Sequence, residues 1–351
     1  MLRLAGSGLI LSGAYASPLA AAATKVKPRR VLAGLLLPLS GTNASVARVM
    51  ERATTLAAPA DPKYEAIPSF DTGGTPGGAA AAATAALKAG AGMILGPLSS
   101  AEVRPVLAAV GGQVPVLSFS NDPALLDSGA FLLGITPSQS VTAIFGYARG
   151  RGVRQVGVVV GDDSWSRAAL AAAERSAPGA GLTLGPIVNA AGRDAGALLG
   201  ELRRSGDLPD AVLLPTGGVQ MAALARMLKD QGAQILATVQ TIAGSAGDSS
   251  AFDGAWLAGY DPELFGDFAR SYQARHGGDP GLIAALAYDA ANIARTLARN
   301  RTLSREGLLG TQFDGISGSL QFRSDGSCLR GLTILAADSS GNRMIGRGSA
   351  G

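Results

Sequence analysis

His276 and Cys328 are the single histidine and the single cysteine of the chain, and together they cannot build a metal centre or a nucleophilic one. A structural zinc site needs several His or Cys ligands. A Ser-His-Asp triad would have to use His276, with no Gly-x-Ser-x-Gly turn to present its serine. His276 lies in Arg275-His276-Gly277-Gly278-Asp279-Pro280, the composition of a helix end followed by a turn. Cys328 reads as a buried strand residue. Paired carboxylates are the remaining catalytic option. Asp162-Asp163 follows the apolar run 156–160, at a strand end where α/β proteins place ligand sites. An acid there also accepts the free amides of a following helix, and capping is its expected role. No Walker sequence occurs, and Gly90-Ala91-Gly92 precedes a strand where a dinucleotide loop would follow one. The chain is therefore read as a non-enzyme with no catalytic residue, metal or cofactor.

What the sequence does repeat is small, neutral, polar side chains just after apolar runs. Ser40-Gly41-Thr42-Asn43, Gly96-Pro97-Leu98-Ser99-Ser100 and Ser118-Phe119-Ser120-Asn121-Asp122 each follow a strand-like segment. In a parallel sheet such ends share one edge, where Ser and Asn side chains and free helix amides make a hydrogen-bonding wall. Each serine can also be a helix cap, and the two roles are compatible.

The elements that must position these residues alternate in type. Runs at 31–37, 64–70, 92–96, 114–117 and 131–134 read as strands, with helices near 41–57, 79–89 and 100–110 between them. The pattern restarts: helix 138–149, strand 156–160, helix 166–177, strand 182–188, helix 194–205, strand 211–214, helix 218–231 and strand 235–238. Short Gly/Pro loops separate the segments, as in a parallel sheet covered on both faces. Beyond residue 247 come a strand at 255–258, helices 262–275 and 282–299, a hairpin at 313–322 and a last strand at 332–335. A Gly/Ser-rich end is expected to fray.

Composition agrees with two such units. The chain has 351 residues, 47% hydrophobic and 16% charged, too long for one ordinary core and too apolar for disorder. Its net charge of +4 is not gathered into a Lys/Arg stripe with interleaved aromatics, so nucleic acid is not an expected partner. Residues 1–23 are expected to be a cleaved signal peptide. Arg3 precedes a small-residue-rich apolar stretch from Leu4 to Leu19, and Leu19-Ala20-Ala21-Ala22-Ala23 offers Ala-x-Ala sites. With no lipobox cysteine there and no span in the mature chain, a periplasmic location without a lipid anchor is expected.

Several phrases resemble the leucine/isoleucine/valine-binding type of periplasmic binding protein (type I). They are Leu37-Pro38-Leu39-Ser40-Gly41, Ile94-Leu95-Gly96-Pro97-Leu98-Ser99-Ser100, Val114-Pro115-Val116-Leu117-Ser118, Gly161-Asp162-Asp163-Ser164-Trp165, Ala284-Ala285-Leu286-Ala287-Tyr288-Asp289-Ala290 and Phe313-Asp314-Gly315-Ile316-Ser317-Gly318. The resemblance implies an α/β fold of two Rossmann-like lobes joined by three crossover strands, closing on a ligand by hinge motion. Lobe one would comprise 31–137 and 258–318, and lobe two 138–257 and 319–345. It implies ligand contacts from Ser99 or Ser100, from Ser120, Asn121 and Asp122, and from Trp165. Ser40 and Asp163 join these as strand-end candidates, and Gln240 stands where the family has the acid that pairs with an amino acid's ammonium. The family's tyrosines fall at Val46 and Gly217. Two functions follow as expectations. One is a receptor delivering a small polar solute, amino-acid-like or a small acid, to an ABC permease. The other is a penicillin-binding protein activator, because Phe70-Asp71-Thr72-Gly73-Gly74-Thr75-Pro76-Gly77-Gly78-Ala79 and Leu117-Ser118-Phe119-Ser120-Asn121-Asp122 resemble that subgroup, which acts by protein contact.

Overall fold

A computed structural model describes residues 31–57, 66–204, 206–245 and 247–348. The expected signal peptide lies outside them.

The run Gly34–Leu37 is buried throughout and forms β1, with helices on both faces of its sheet. In chain order there follow α1 (Ala44–Thr54), β2 (Ser69–Asp71), α2 (Pro76–Lys88), β3 (Ile94–Leu95), α3 (Ser100–Val110), β4 (Val116–Ser118) and β5 (Phe131–Leu132). The five strands are parallel in the order β2-β1-β3-β4-β5. This doubly wound order reverses at β1, which places a crevice beyond the strand C-termini.

The second unit repeats the plan. It contains α4 (Pro137–Gly150), β6 (Gln155–Val160), α5 (Ser164–Ala180), β7 (Thr183–Asn189), α6 (Ala195–Leu202), β8 (Ala211–Leu214), α7 (Val219–Asp230), β9 (Gln234–Ala237), α8 (Val239–Ala243) and β10 (Trp256–Gly259). After these come α9 (Pro262–His276), α10 (Gly281–Arg299), α11 (Arg305–Gly310), β11 (Gln312–Gly315), β12 (Gly318–Phe322), β13 (Cys328–Arg330), β14 (Thr333–Ala336) and β15 (Arg343–Arg347). The second sheet runs β15-β14-β10-β9-β8-β6-β7, with β14 and β15 antiparallel to their neighbours. The chain crosses between the two lobes after β5, after β10 and after β13.

Two expectations change here. Residues 319–330, expected in lobe two, instead belong to the small sheet β11-β12-β13, which packs on lobe one. Leu132 donates its amide to Gly326 O at 2.9 Å, and Phe322 meets Phe131 edge-on at 5.5 Å. The end expected to fray contains β15, an edge strand paired with β14. It is held from the side by Tyr147, whose hydroxyl donates to Ile345 O at 3.3 Å. Cys328 is buried in β13, and burial pushes its thiol pKa up.

Candidate functional site

A cavity of about 840 Å³ opens between the two large sheets. Lobe one supplies Leu98, Ser100 and the segment Phe119–Ala124 from the loops after β3 and β4. Lobe two supplies Asp163–Trp165 after β6, Thr216 and Gly217 after β8, and Val239 and Gln240 after β9. Strand C-termini of both sheets therefore meet at one place, as parallel α/β geometry requires. The crossing segments add Ile135 and Tyr260, and the start of α10 adds Leu282, Ile283 and Leu286.

Of the residues expected from sequence, Ser100, Ser120, Asn121, Asp122, Asp163, Trp165 and Gln240 line this cavity, whereas Ser40 and Ser99 do not. Ser40 is exposed, and its amide donates at 3.2 Å to Oδ1 of Asp71, the last residue of β2. Ser99 caps α3, donating its amide to Glu102 Oε2 at 3.2 Å. Val46, the expected place of a family tyrosine, packs against the core instead.

Local chemistry fixes the remaining side chains. Asp163 caps α5: its Oδ1 accepts the Ser166 amide at 2.8 Å and its Oδ2 accepts the Ser166 hydroxyl at 2.7 Å. Burial raises its pKa, but the Ser166 hydrogen bonds outweigh burial and hold the carboxyl below its ordinary value of 3.8. Its contribution to stability is therefore complete above that value and is lost as pH falls through the lower folded value. Asp163→Asn keeps a capping side chain without the charge, and should flatten the acid limb of a urea-midpoint profile below about pH 4. An acid limb identical to the parent's would show that this carboxylate contributes nothing there. Trp165 is half-buried and steadied by its indole N–H, which donates to Pro215 O at 3.2 Å. Ser120 Oγ accepts the Asp122 amide at 3.2 Å, and Asp122 Oδ1 accepts the Ala124 amide at 3.0 Å.

Among the described residues no group of three or more His, Cys, Asp or Glu is placed to hold a metal ion. His276 ends α9, its Nε2 3.1 Å from Thr55 Oγ1, and it is not among the residues lining the cavity.

Comparison with known proteins agrees with this geometry. A model of the periplasmic binding protein family matches residues 31–342. The chain belongs to that family. No curated protein sequence matches it. Among solved structures, it is similar to a branched-chain amino acid ABC transporter periplasmic ligand-binding protein from Burkholderia xenovorans, with 14% identity and a TM-score of 0.74, covering 92% of this chain and 96% of that one. It is similar to the leucine-binding protein LivK of Thermotoga maritima, with 19% identity and a TM-score of 0.64, covering 90% and 98%. Full-length LpoA from Haemophilus influenzae is 17% identical with a TM-score of 0.70, and the match covers 91% of this chain and 60% of that one.

The cleft of this periplasmic binding protein has an apolar rim near the crossings. Tyr260, Leu282, Ile283 and Leu286 were not among the sequence candidates. The signal for the last three was their i, i+1, i+4 spacing directly after Pro280-Gly281 at a helix start. That spacing marks one apolar face, but does not say whether it meets the core or a cavity. Tyr260 is 7% exposed and stacks on Phe265 at 6.4 Å, and burial drives its phenol far above the ordinary range.

Proposed function

We propose that the chain is a periplasmic receptor that binds a small polar solute in the cleft between its lobes and delivers it to an ABC permease. The observation that carries this reading is the cavity at which strand ends of both sheets meet, with Ser100, Ser120 and Asn121 on one wall and Trp165 and Gln240 on the other. A site shared by two lobes is completed when they close, so binding and closure are coupled. Among the described residues no helix is long and apolar enough to cross a membrane.

A thermal-shift screen against amino acids, small acids, small alcohols and amides, and muropeptides tests the reading. A solute at 100 times its Kd adds ~2.7 kcal/mol to stability, enough to raise Tm visibly. Trp165→Ala should abolish the shift given by any solute found, because it removes the aromatic wall of lobe two. A full shift in that variant would remove Trp165 from the site.

The likeness to LpoA favours a second reading, a penicillin-binding protein activator that regulates peptidoglycan synthesis by protein contact. No shift with any solute, together with capture of a penicillin-binding protein by the purified chain, would replace the receptor reading with this one.

A further inference from the structure

We propose that lobe two carries a second binding surface, a groove at the end of its sheet away from the cleft, which takes an acidic, extended segment of a partner protein. This face is separate from the solute site, so the proposal stands independently of what the cleft binds.

The groove follows from where α4 stops. That helix packs against β10 and β14 of the second sheet and ends at Gly150. Beyond its end a cavity of about 740 Å³ opens over Trp256, Ala336 and Arg343. These three residues pair in register across β10, β14 and β15, so they share one face of the sheet. Ala336 is small, and it leaves a gap one strand wide between the Trp256 indole and the Arg343 side chain. Tyr260 follows the other end of β10 and lines the cleft. The two sites therefore lie at opposite ends of that strand.

The walls decide the occupant. Trp256 is half-buried and meets Tyr147 edge-on at 5.2 Å. The Tyr147 hydroxyl accepts from Arg151 Nε at 3.0 Å, and the guanidinium lies 5.0 Å from the ring centroid. Tyr147 thus holds Arg151 on one side of the groove, with Arg343 exposed on the other. Among the described residues neither arginine forms an ion pair, and no acid lines the groove. Asp338, the acid that feels the Arg343 charge, lies outside the lining, and its Oδ1 is held by the Ser340 amide and hydroxyl. Two guanidinium groups beside two aromatic rings select carboxylates carried next to apolar side chains. Met344, 41% exposed on the same wall, adds apolar surface that gains by being covered. The groove is shallow, whereas sites for small molecules enclose most of their ligand. A peptide segment suits it because the chain on either side can continue over the lip. The net charge of +4 favours the approach of an acidic partner.

Trp165 and Trp256 are the two tryptophans of the chain. In the full chain carrying Trp165→Phe, fluorescence therefore reports on the groove through Trp256 alone. The probes are end-blocked hexapeptides alternating Leu with Glu, with Gln or with Lys, and glutarate as a small anion. The Glu peptide should shift the Trp256 emission and bind about tenfold or more tighter than the Gln and Lys peptides. Arg343→Gln should weaken it about tenfold with an unchanged circular dichroism spectrum. Arg299→Gln, which removes an exposed arginine of α10 in lobe one, should leave its affinity as it was. No binding of the Glu peptide up to about 1 mM, or equal binding of the three peptides, overturns the proposal. So does an equal loss in the two arginine variants, which would mean a general attraction to a basic chain. Glutarate binding as tightly as the Glu peptide would replace the partner segment with a small anion.

Discussion

Asp289→Ala is expected to destabilise the chain by about 3–5 kcal/mol, the range for leaving a buried charge uncompensated. Asp289 is 1% exposed on α10 and Arg330 is 1% exposed on β13. The Ser317 hydroxyl stands between them, donating to Asp289 Oδ2 at 2.7 Å and accepting from the Arg330 guanidinium. Asp289 also accepts the amides of Ile316 at 2.9 Å and Ser317 at 3.3 Å, while Arg330 reaches Leu133 O. Burial pushes the Asp289 carboxyl up, and Ser317, Ile316 and Arg330 pull it back. One small network thus ties α10 and the hairpin turn to two of the three crossings between the sheets. Alanine at 289 would strand the guanidinium and two buried amides without their acceptor. Urea denaturation at neutral pH measures the loss. A change below about 1 kcal/mol would mean that Arg330 is compensated elsewhere. The double variant Asp289→Leu/Arg330→Met, which removes both charges, should lose less than Asp289→Ala alone.

Gly217→Ala should cost about 1–3 kcal/mol by overpacking, and should weaken solute binding as well. A Cβ at this position would stand 2.1 Å from Thr241 O and 2.3 Å from Ser245 Oγ, so α8 would have to move. That helix is tied down on the same side. Thr238 donates its hydroxyl to Pro215 O at 2.7 Å, Thr241 donates to Leu214 O at 2.6 Å, and the Gly218 amide donates to Ser245 Oγ at 2.9 Å. Gln240 rides on the first turn of α8, so displacement of the helix reshapes the cavity wall. The same contact explains why no tyrosine can occupy the position here: the space a side chain would need is filled by the turn after α8. Gly217→Tyr should therefore unfold this corner and not create leucine binding. The measurements are the urea midpoint and the Kd for any solute found. A midpoint unchanged in Gly217→Ala would show that α8 yields freely.

The strands were the most legible part of the chain. The runs at 34–37, 156–160 and 211–214 are continuous in apolar residues because a parallel strand is covered on both faces, and no distant information is needed to read that. The Asp163 cap was legible for a similar reason, since the residues it serves are three positions away. Elements whose signal is weak were missed. The helices α8 and α11 are short, and β13 and β15 are short strands with little apolar pattern, paired with β12 and β14 just before them.

The candidate site divides along the same line. By itself the sequence determined the two-unit α/β plan and pointed to the strand-end loops as candidates for a site. It could not decide which loops face the other lobe. Ser40 and Ser120 follow strands of the same sheet and look alike in sequence, yet Ser40 stands beside Asp71 in an exposed loop while Ser120 lines the cavity. Nor could it show that Leu282 meets a cavity and not the core. Those outcomes depend on how two sheets, three crossings and α10 are set against one another. That arrangement is fixed by contacts such as Asp289 with Ser317 and Arg330 with Leu133, whose partners are brought together only by the finished fold.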